Sequence, residues 1–233
     1  MAIGAPAAHG QDEFAVQRRH LIDEIKAMAG DVRSVTGRPG FDARVLSVLD
    51  KVPRHRFVPP DHVRAAYDNR PLPIGHGQTI SQPYIVALMT DLLEVKPHHV
   101  VLEVGTGSGY QAAILAELAQ TVCTIEIIAP LAKQAEARLQ DQGYRVQTKV
   151  ADGYFGWEAC GPFDAIIVTA AASHVPPPLI RQLKPGGRVV IPIGAAFLTQ
   201  HLMLVEKKTD GTILTRQVLP VRFVPLTGAV SGR

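Results

Sequence analysis

Apolar residues recur along this chain at two spacings, and the change from one to the other organises it. Phe14, Leu21, Ile22, Ile25 and Met28 share one face at helical spacing and predict an amphipathic helix that Gly30 ends. A second helix is expected from Asp42, a good N-cap residue, through Val45, Leu46, Val48 and Leu49, until Pro53 stops it. From residue 100 onward, short continuous apolar runs alternate with helical ones. That is the pattern of strands buried on both faces of a parallel sheet. The strand-like runs cover residues 100–104, 121–126, 145–150, 163–169 and 188–193. Strong helix formers fill 111–119 and 131–142, the latter opened by Pro130 and closed by Gly143, and a short helix is expected over 176–183. Residues 184–187, Lys-Pro-Gly-Gly, predict a tight turn, and two long strands flank the hairpin pair Asp210-Gly211. The expected fold class is α/β, a doubly wound and mostly parallel sheet with an antiparallel terminal hairpin, preceded by N-terminal helices.

Composition narrows the setting without changing that picture. Against 21 acidic residues stand 24 Lys and Arg, a formal net charge of +3, with no dense basic run, so nucleic acid is not an expected partner. Two cysteines are too few for a disulfide framework, and Cys123, inside an apolar run, is expected as a buried free thiol. No apolar stretch reaches membrane-spanning length and no signal peptide is recognisable, so a cytoplasmic protein is expected; separately, the chain is expected to act as a monomer. Metal binding is not expected: neither H-E-x-x-H nor C-x-x-C occurs, and the adjacent His98 and His99 would point to opposite faces of a strand. G-x-S-x-G and the P-loop pattern are also missing, which excludes the commonest hydrolase and NTPase sites.

Two loops draw notice. Residues 54–60 cluster charged side chains around Phe57 and read as a solvated connection docked by that ring. Residues 71–83 are rich in turn formers and too long for a simple connector, as functional loops often are. Within them Ser81 is a candidate N-cap for the helix that begins near Pro83. A hydroxyl and free amides at a helix start also suit a substrate anion.

The chemistry concentrates after the first strand. Glu103 is followed by Gly105, Gly107 and Gly109 at alternate positions, with Thr106, Ser108 and Tyr110 between and after them, and then by a helix. A strand, a glycine turn and a helix allow backbone to approach a ligand closely. A dinucleotide fingerprint would need a third glycine at position 110, where Tyr110 stands. An acidic residue followed by G-x-G-x-G instead resembles motif I of the S-adenosylmethionine-dependent methyltransferases. Glu126, 21 residues beyond Gly105 at the end of the second strand, has the spacing of a ribose-binding acid, with Ile127 beside it.

Three further segments, Gly77-Gln-Thr-Ile-Ser-Gln-Pro83, Phe163-Asp-Ala-Ile-Ile-Val-Thr-Ala-Ala171 and Val221-Arg-Phe-Val-Pro-Leu226, make the resemblance specific. Over residues 14–228 the chain resembles the protein-L-isoaspartate O-methyltransferases, in their bacterial form. The resemblance implies S-adenosyl-L-methionine as cofactor and Ser81 as the active-site residue. It also implies cofactor contacts from Gln78, Thr79, Ile80, Glu103, Gly105 to Tyr110, Glu126, Ile127, Asp152, Gly153, Thr169 and Thr227. Domain limits then follow: residues 1–10 disordered, 11–75 an N-terminal helical region, and 76–233 the methyltransferase domain, the whole forming one unit. One departure is plain: Tyr84, Ile85 and Val86 stand where eukaryotic members carry histidines, so histidine contacts to the cofactor are not expected.

The implied reaction is methylation of the free α-carboxylate of L-isoaspartyl residues in damaged proteins and peptides, beginning repair through a succinimide. Such an acceptor is already an anion at neutral pH and needs no general base. That suits a chain with no evident acid–base pair near the glycine turn. His174, the nearest histidine to the fourth strand's carboxyl end, reads as an exposed loop residue. Two alternatives compete: a methyltransferase for another acceptor, either a small carboxylate or RNA, and a non-catalytic module that binds S-adenosylmethionine.

Overall fold

The computed structural model describes residues 13–195 and 198–228; the disorder expected for residues 1–10 lies outside them. Helix α1 (Ala15–Ala27) buries Leu21, Ile22 and Ile25, as its periodicity requires. Gly30 does not end that region. It opens a further helix, α2 (Gly30–Thr36), closed by Gly37 in the left-handed conformation. Only Val32 of α2 is buried, so the sequence carries no apolar period to announce it. Helix α3 (Ala43–Lys51) starts where expected, the Asp42 carboxylate accepting the Arg44 N–H at 2.8 Å.

The long loop folds into a hairpin, β1 (Leu72–Gly75) and β2 (Gln78–Ile80), whose register slips between Pro73 and Gly75. Its turn places Gly75, His76 and Gly77 successively at positive φ, a left-handed path that glycine adopts freely. Helix α4 (Pro83–Leu92) follows, and every one of its residues is buried. A helix with no solvated face must be covered all round, and α1, α2 and α3 supply part of that cover.

The remaining chain builds one seven-stranded sheet. Its strands are β3 (Val100–Val104), β4 (Thr121–Glu126), β5 (Gln147–Val150), β6 (Phe163–Val168), β7 (Leu183–Ile193), β8 (Gln200–Lys207) and β9 (Ile213–Val221). Their spatial order is β5-β4-β3-β6-β7-β8-β9. Pairing is parallel from β5 to β7 and antiparallel from β7 to β9. Helices α5 (Tyr110–Ala116), α6 (Ala129–Asp141) and α7 (Pro177–Gln182) lie in the connections. From β3 the chain moves outward to β4 and later returns to the other side of β3 as β6. Ligands bind in the crevice that such a reversal opens at the strands' carboxyl ends.

The expected tight turn at residues 184–187 lies inside β7. Phe163 pairs with Leu183 and Ala165 with Arg188, so the extra residues bulge out of the ladder. An ion pair from Lys184 to Asp164 at 2.8 Å spans that bulge.

Alternate sheet residues feed two cores, the period-two consequence of the pleat. Val101, Ala165, Ile167 and Val190 join α1, α3, α4 and α5 in one cluster. Leu102, Ile166, Val168 and Val189 join α7 in the other. The N-terminal helices therefore share a core with the sheet. Cys123, expected as a free thiol, is instead paired in a disulfide with Cys160, their Cα atoms 6.7 Å apart. The sequence separation of 37 residues hid the proximity that arises because Cys123 lies on β4 and Cys160 in the connection from β5 to β6. No helix among the described residues is long and apolar enough to cross a membrane.

Candidate active site

The glycine turn is fixed from both neighbouring strands. Gly105 and Thr106 donate their N–H groups to the Ile125 carbonyl on β4, at 2.8 and 3.2 Å. From beyond β6, the Thr169 hydroxyl donates to the Gly105 carbonyl at 2.6 Å. Gly105 has φ 98°, and a Cβ there would collide with the Thr169 hydroxyl. Gly109, φ 88°, serves a different neighbour. A Cβ on it would meet Leu139 of α6 at 3.3 Å, so this glycine lets α5 and α6 approach.

Two acids lie against the turn in contrasting states. The Glu126 carboxylate accepts the Gly107 N–H and the Ile128 N–H, each at 2.9 Å, so both oxygens are anchored to backbone. Glu103 is fully buried. One of its oxygens accepts the Thr124 hydroxyl, itself 2.6 Å from that of Thr106, and the other has no partner among the described residues. Burial pushes the Glu103 carboxyl up to about 8; the Thr124 hydrogen bond opposes this and the Glu126 charge adds to it.

Three spaces that share lining residues surround these groups. The first, along the turn, is lined by Gln78, Thr79, Gly105, Gly107, Glu126 and Ile127, with Gly153, Thr169 and Thr227 opposite. A small chamber beneath the turn is lined by Thr79, Ile80, Ser81, Glu103, Thr106 and Ser108, together with Tyr110 and Thr169. The third is an open groove of about 620 Å³ whose walls include Thr79, Ser81, Tyr84, Thr169 and the 219–224 segment. That volume is typical of ligand sites. Thr79 and Thr169 line all three, so they mark the junction. Two of the expected residues, Gly109 and Asp152, line none of them. The Asp152 carboxylate accepts the Tyr154 N–H at 2.9 Å and lies close against Gly228.

Ser81 is not the helix cap. Pro83 occupies the first helical position and Gln82 the N-cap, with no side-chain cap bond. Ser81 is half-buried, and its hydroxyl has no protein partner among the described residues, at the boundary of chamber and groove. Its backbone is held from behind. Arg54 donates from Nη2 to the Ser81 carbonyl at 2.8 Å and from Nε to the Ala66 carbonyl at 2.9 Å. Its guanidinium lies 5.0 Å from the centre of the Tyr110 ring.

The 54–60 segment is thus only partly the solvated connection its composition predicts. Phe57 docks as expected, but Arg54 is completely buried, and burial draws its guanidinium pKa down to about 10. Its carbonyl partners lie 12 and 27 residues away, so no local pattern reveals the site. His174 is exposed, contacts the Ser173 hydroxyl at 3.0 Å and lines none of the three spaces. No cluster able to hold a metal exists among the described residues.

Known proteins resemble this chain over most of its length. Residues 36–231 match the family model described as protein-L-isoaspartate(D-aspartate) O-methyltransferase. A protein-L-isoaspartate O-methyltransferase 2 of Polaromonas sp. (strain JS666) is 67% identical over 209 residues, covering 89% of this chain and 99% of that one. A protein-L-isoaspartate O-methyltransferase 1 of Cupriavidus necator is 62% identical over 229 residues, 98% of this chain and 88% of that one. A solved Plasmodium falciparum structure assigned to the same activity, in complex with S-adenosyl-L-homocysteine, superposes with a TM-score of 0.74 at 26% identity, over 90% of this chain and 98% of that one. The chain belongs to the protein-L-isoaspartate(D-aspartate) O-methyltransferase family.

Proposed function

We propose that this enzyme methylates the free α-carboxylate of L-isoaspartyl residues in proteins and peptides, using S-adenosyl-L-methionine, and so begins repair through a succinimide. The observation that carries the reading is the Ser81 hydroxyl, without a partner among the described residues where the acceptor groove meets the chamber under the glycine turn. A hydroxyl so placed donates to a carboxylate oxygen and orients it.

The cofactor supplies an electrophilic methyl group on a positively charged sulfur that leaves as a neutral sulfide. The buried Glu103 oxygen that lacks a partner among the described residues fits the ammonium of its methionine portion, beside the turn from Gly105 to Tyr110. Glu126, with both oxygens fixed by backbone N–H groups, and Ile127 take the ribose side, and Gly153 the adenine side, with Asp152 behind it bracing the Tyr154 backbone. Gln78, Thr79 and Ile80 close the space from the hairpin; Thr169 and Thr227 close it from the opposite wall.

An isoaspartyl α-carboxyl resembles a free acid with a pKa of about 3.9, so the acceptor arrives ionised. No protein base is then required, in keeping with the exposed His174 outside the site. The chain's contribution is alignment, worth up to roughly 7–11 kcal/mol in well-oriented systems. The same reading takes the enzyme as a cytoplasmic monomer without a nucleic-acid partner, in line with its small and dispersed net charge; a sizing column checks the monomer. The decisive assay offers methyl-labelled cofactor with matched isoaspartyl and aspartyl peptides and an RNA control. Label confined to the isoaspartyl peptide is expected. Equal labelling of the aspartyl peptide, or labelling of the RNA, overturns the proposal.

A further inference from the structure

We infer that Asp31 selects acceptor chains carrying a cationic side chain close to the isoaspartyl residue, an inference that rests on the acceptor class proposed above. Asp31 lies on α2, ahead of residue 36, where the match to the family model begins. It nonetheless lines the same groove as Ser81, as does Met28, also ahead of the match. One wall of the acceptor groove is therefore built by a segment outside the matched span.

The position of this charge is set. One Asp31 oxygen accepts the Tyr84 hydroxyl, and Tyr84 follows Ser81 by three residues in the chain, in the first turn of α4. The second oxygen has no partner among the described residues. A groove that must admit a carboxylate gains nothing from a second fixed anion unless the acceptor brings a cation to meet it. Among the described residues lining this groove the other formal charge is Arg222, just beyond β9. The two signs thus stand on different elements, so an extended chain meets unlike charge along its length.

The test is a matrix of isoaspartyl peptides with Lys, Gln or Glu at each of the two positions on either side, read as kcat/KM ratios. For a partly solvated pair, at least one position should favour Lys over Gln by about fivefold and disfavour Glu similarly. Asp31→Asn should abolish that preference and Asp31→Lys should reverse it. High salt should compress it, since screening acts over about 10 Å at 0.1 M. Tyr84→Phe removes the hydrogen bond but keeps the charge, so the ranking should persist there and separates charge from a merely structural role. A wild-type ranking retained by Asp31→Lys, or no Lys preference at any position, overturns the inference. Absence of wild-type turnover on the Gln-flanked isoaspartyl peptides would instead bring down the parent reading, and this inference with it.

Discussion

Arg54 holds Ser81 by its backbone: the buried guanidinium donates to the serine carbonyl at 2.8 Å while the serine hydroxyl has no protein partner among the described residues. One element thus fixes the residue and leaves its functional group for the acceptor. Replacing Arg54 by Met strands the Ser81 and Ala66 carbonyls in an apolar interior, which should cost about 3 kcal/mol in denaturant unfolding. Arg54→Lys cannot reproduce the fork. At temperatures where it remains folded, it should lower turnover on an isoaspartyl peptide while leaving S-adenosyl-L-homocysteine affinity near wild type. Equal turnover would show that the Ser81 backbone needs no such anchor.

Ser81→Ala should reduce kcat about 10- to 100-fold, the equivalent of a hydrogen bond to a charged group worth roughly 1.5–3 kcal/mol. Calorimetry with S-adenosyl-L-homocysteine should show nearly unchanged affinity. If affinity collapses too, the serine supports the loop rather than the acceptor.

The alternate glycines separate two roles. Gly105→Ala forces a left-handed φ on a residue with a Cβ and drives it into Thr169, at a strain cost of about 1–3 kcal/mol. It should weaken cofactor binding at least tenfold. Gly109→Ala meets Leu139 across the α5–α6 contact, so it should lower the melting temperature with a much smaller effect on cofactor affinity. Identical affinity losses in both variants would contradict this division.

What could be read from the chain alone was local chemistry. Glu103 and the glycines were legible because strand, turn and helix are adjacent in sequence, and Glu126 because one βα unit has a nearly fixed length. Arg54 was misread because its acceptors come from the Ala66 turn and the Ser81 loop, which only the tertiary fold brings to it. Ser81 looked like a cap because its residue type is right, yet Pro83 sets the helix start one position later than that role needs. Helix α2 escaped notice because a single buried side chain leaves no period to detect.

Glu103 makes stability depend on pH in a defined direction. Its folded pKa, pushed up to about 8, lies above the ordinary value of 4.5, so the folded state keeps a proton that the unfolded chain releases. Its stabilisation is complete below about pH 4.5 and is lost progressively as pH rises toward 8. Glu103→Gln, which mimics the neutral acid, should match wild type near pH 5 and melt higher than wild type near pH 8. Parallel melting curves across that range would mean the carboxyl ionises freely.

Because Thr79 and Thr169 border all three spaces, the hairpin and the loop after β6 act as the two jambs of one doorway. A single compound that threads it, with an adenosyl head in one room and an isoaspartyl-like peptide in the other, would bind through both ends at once. With a tether matched to the span, such tandem ligands can exceed either half by about 10²–10⁴ in affinity. Bulky replacements at Thr79 or Thr169 should erase that gain while each separate half still binds.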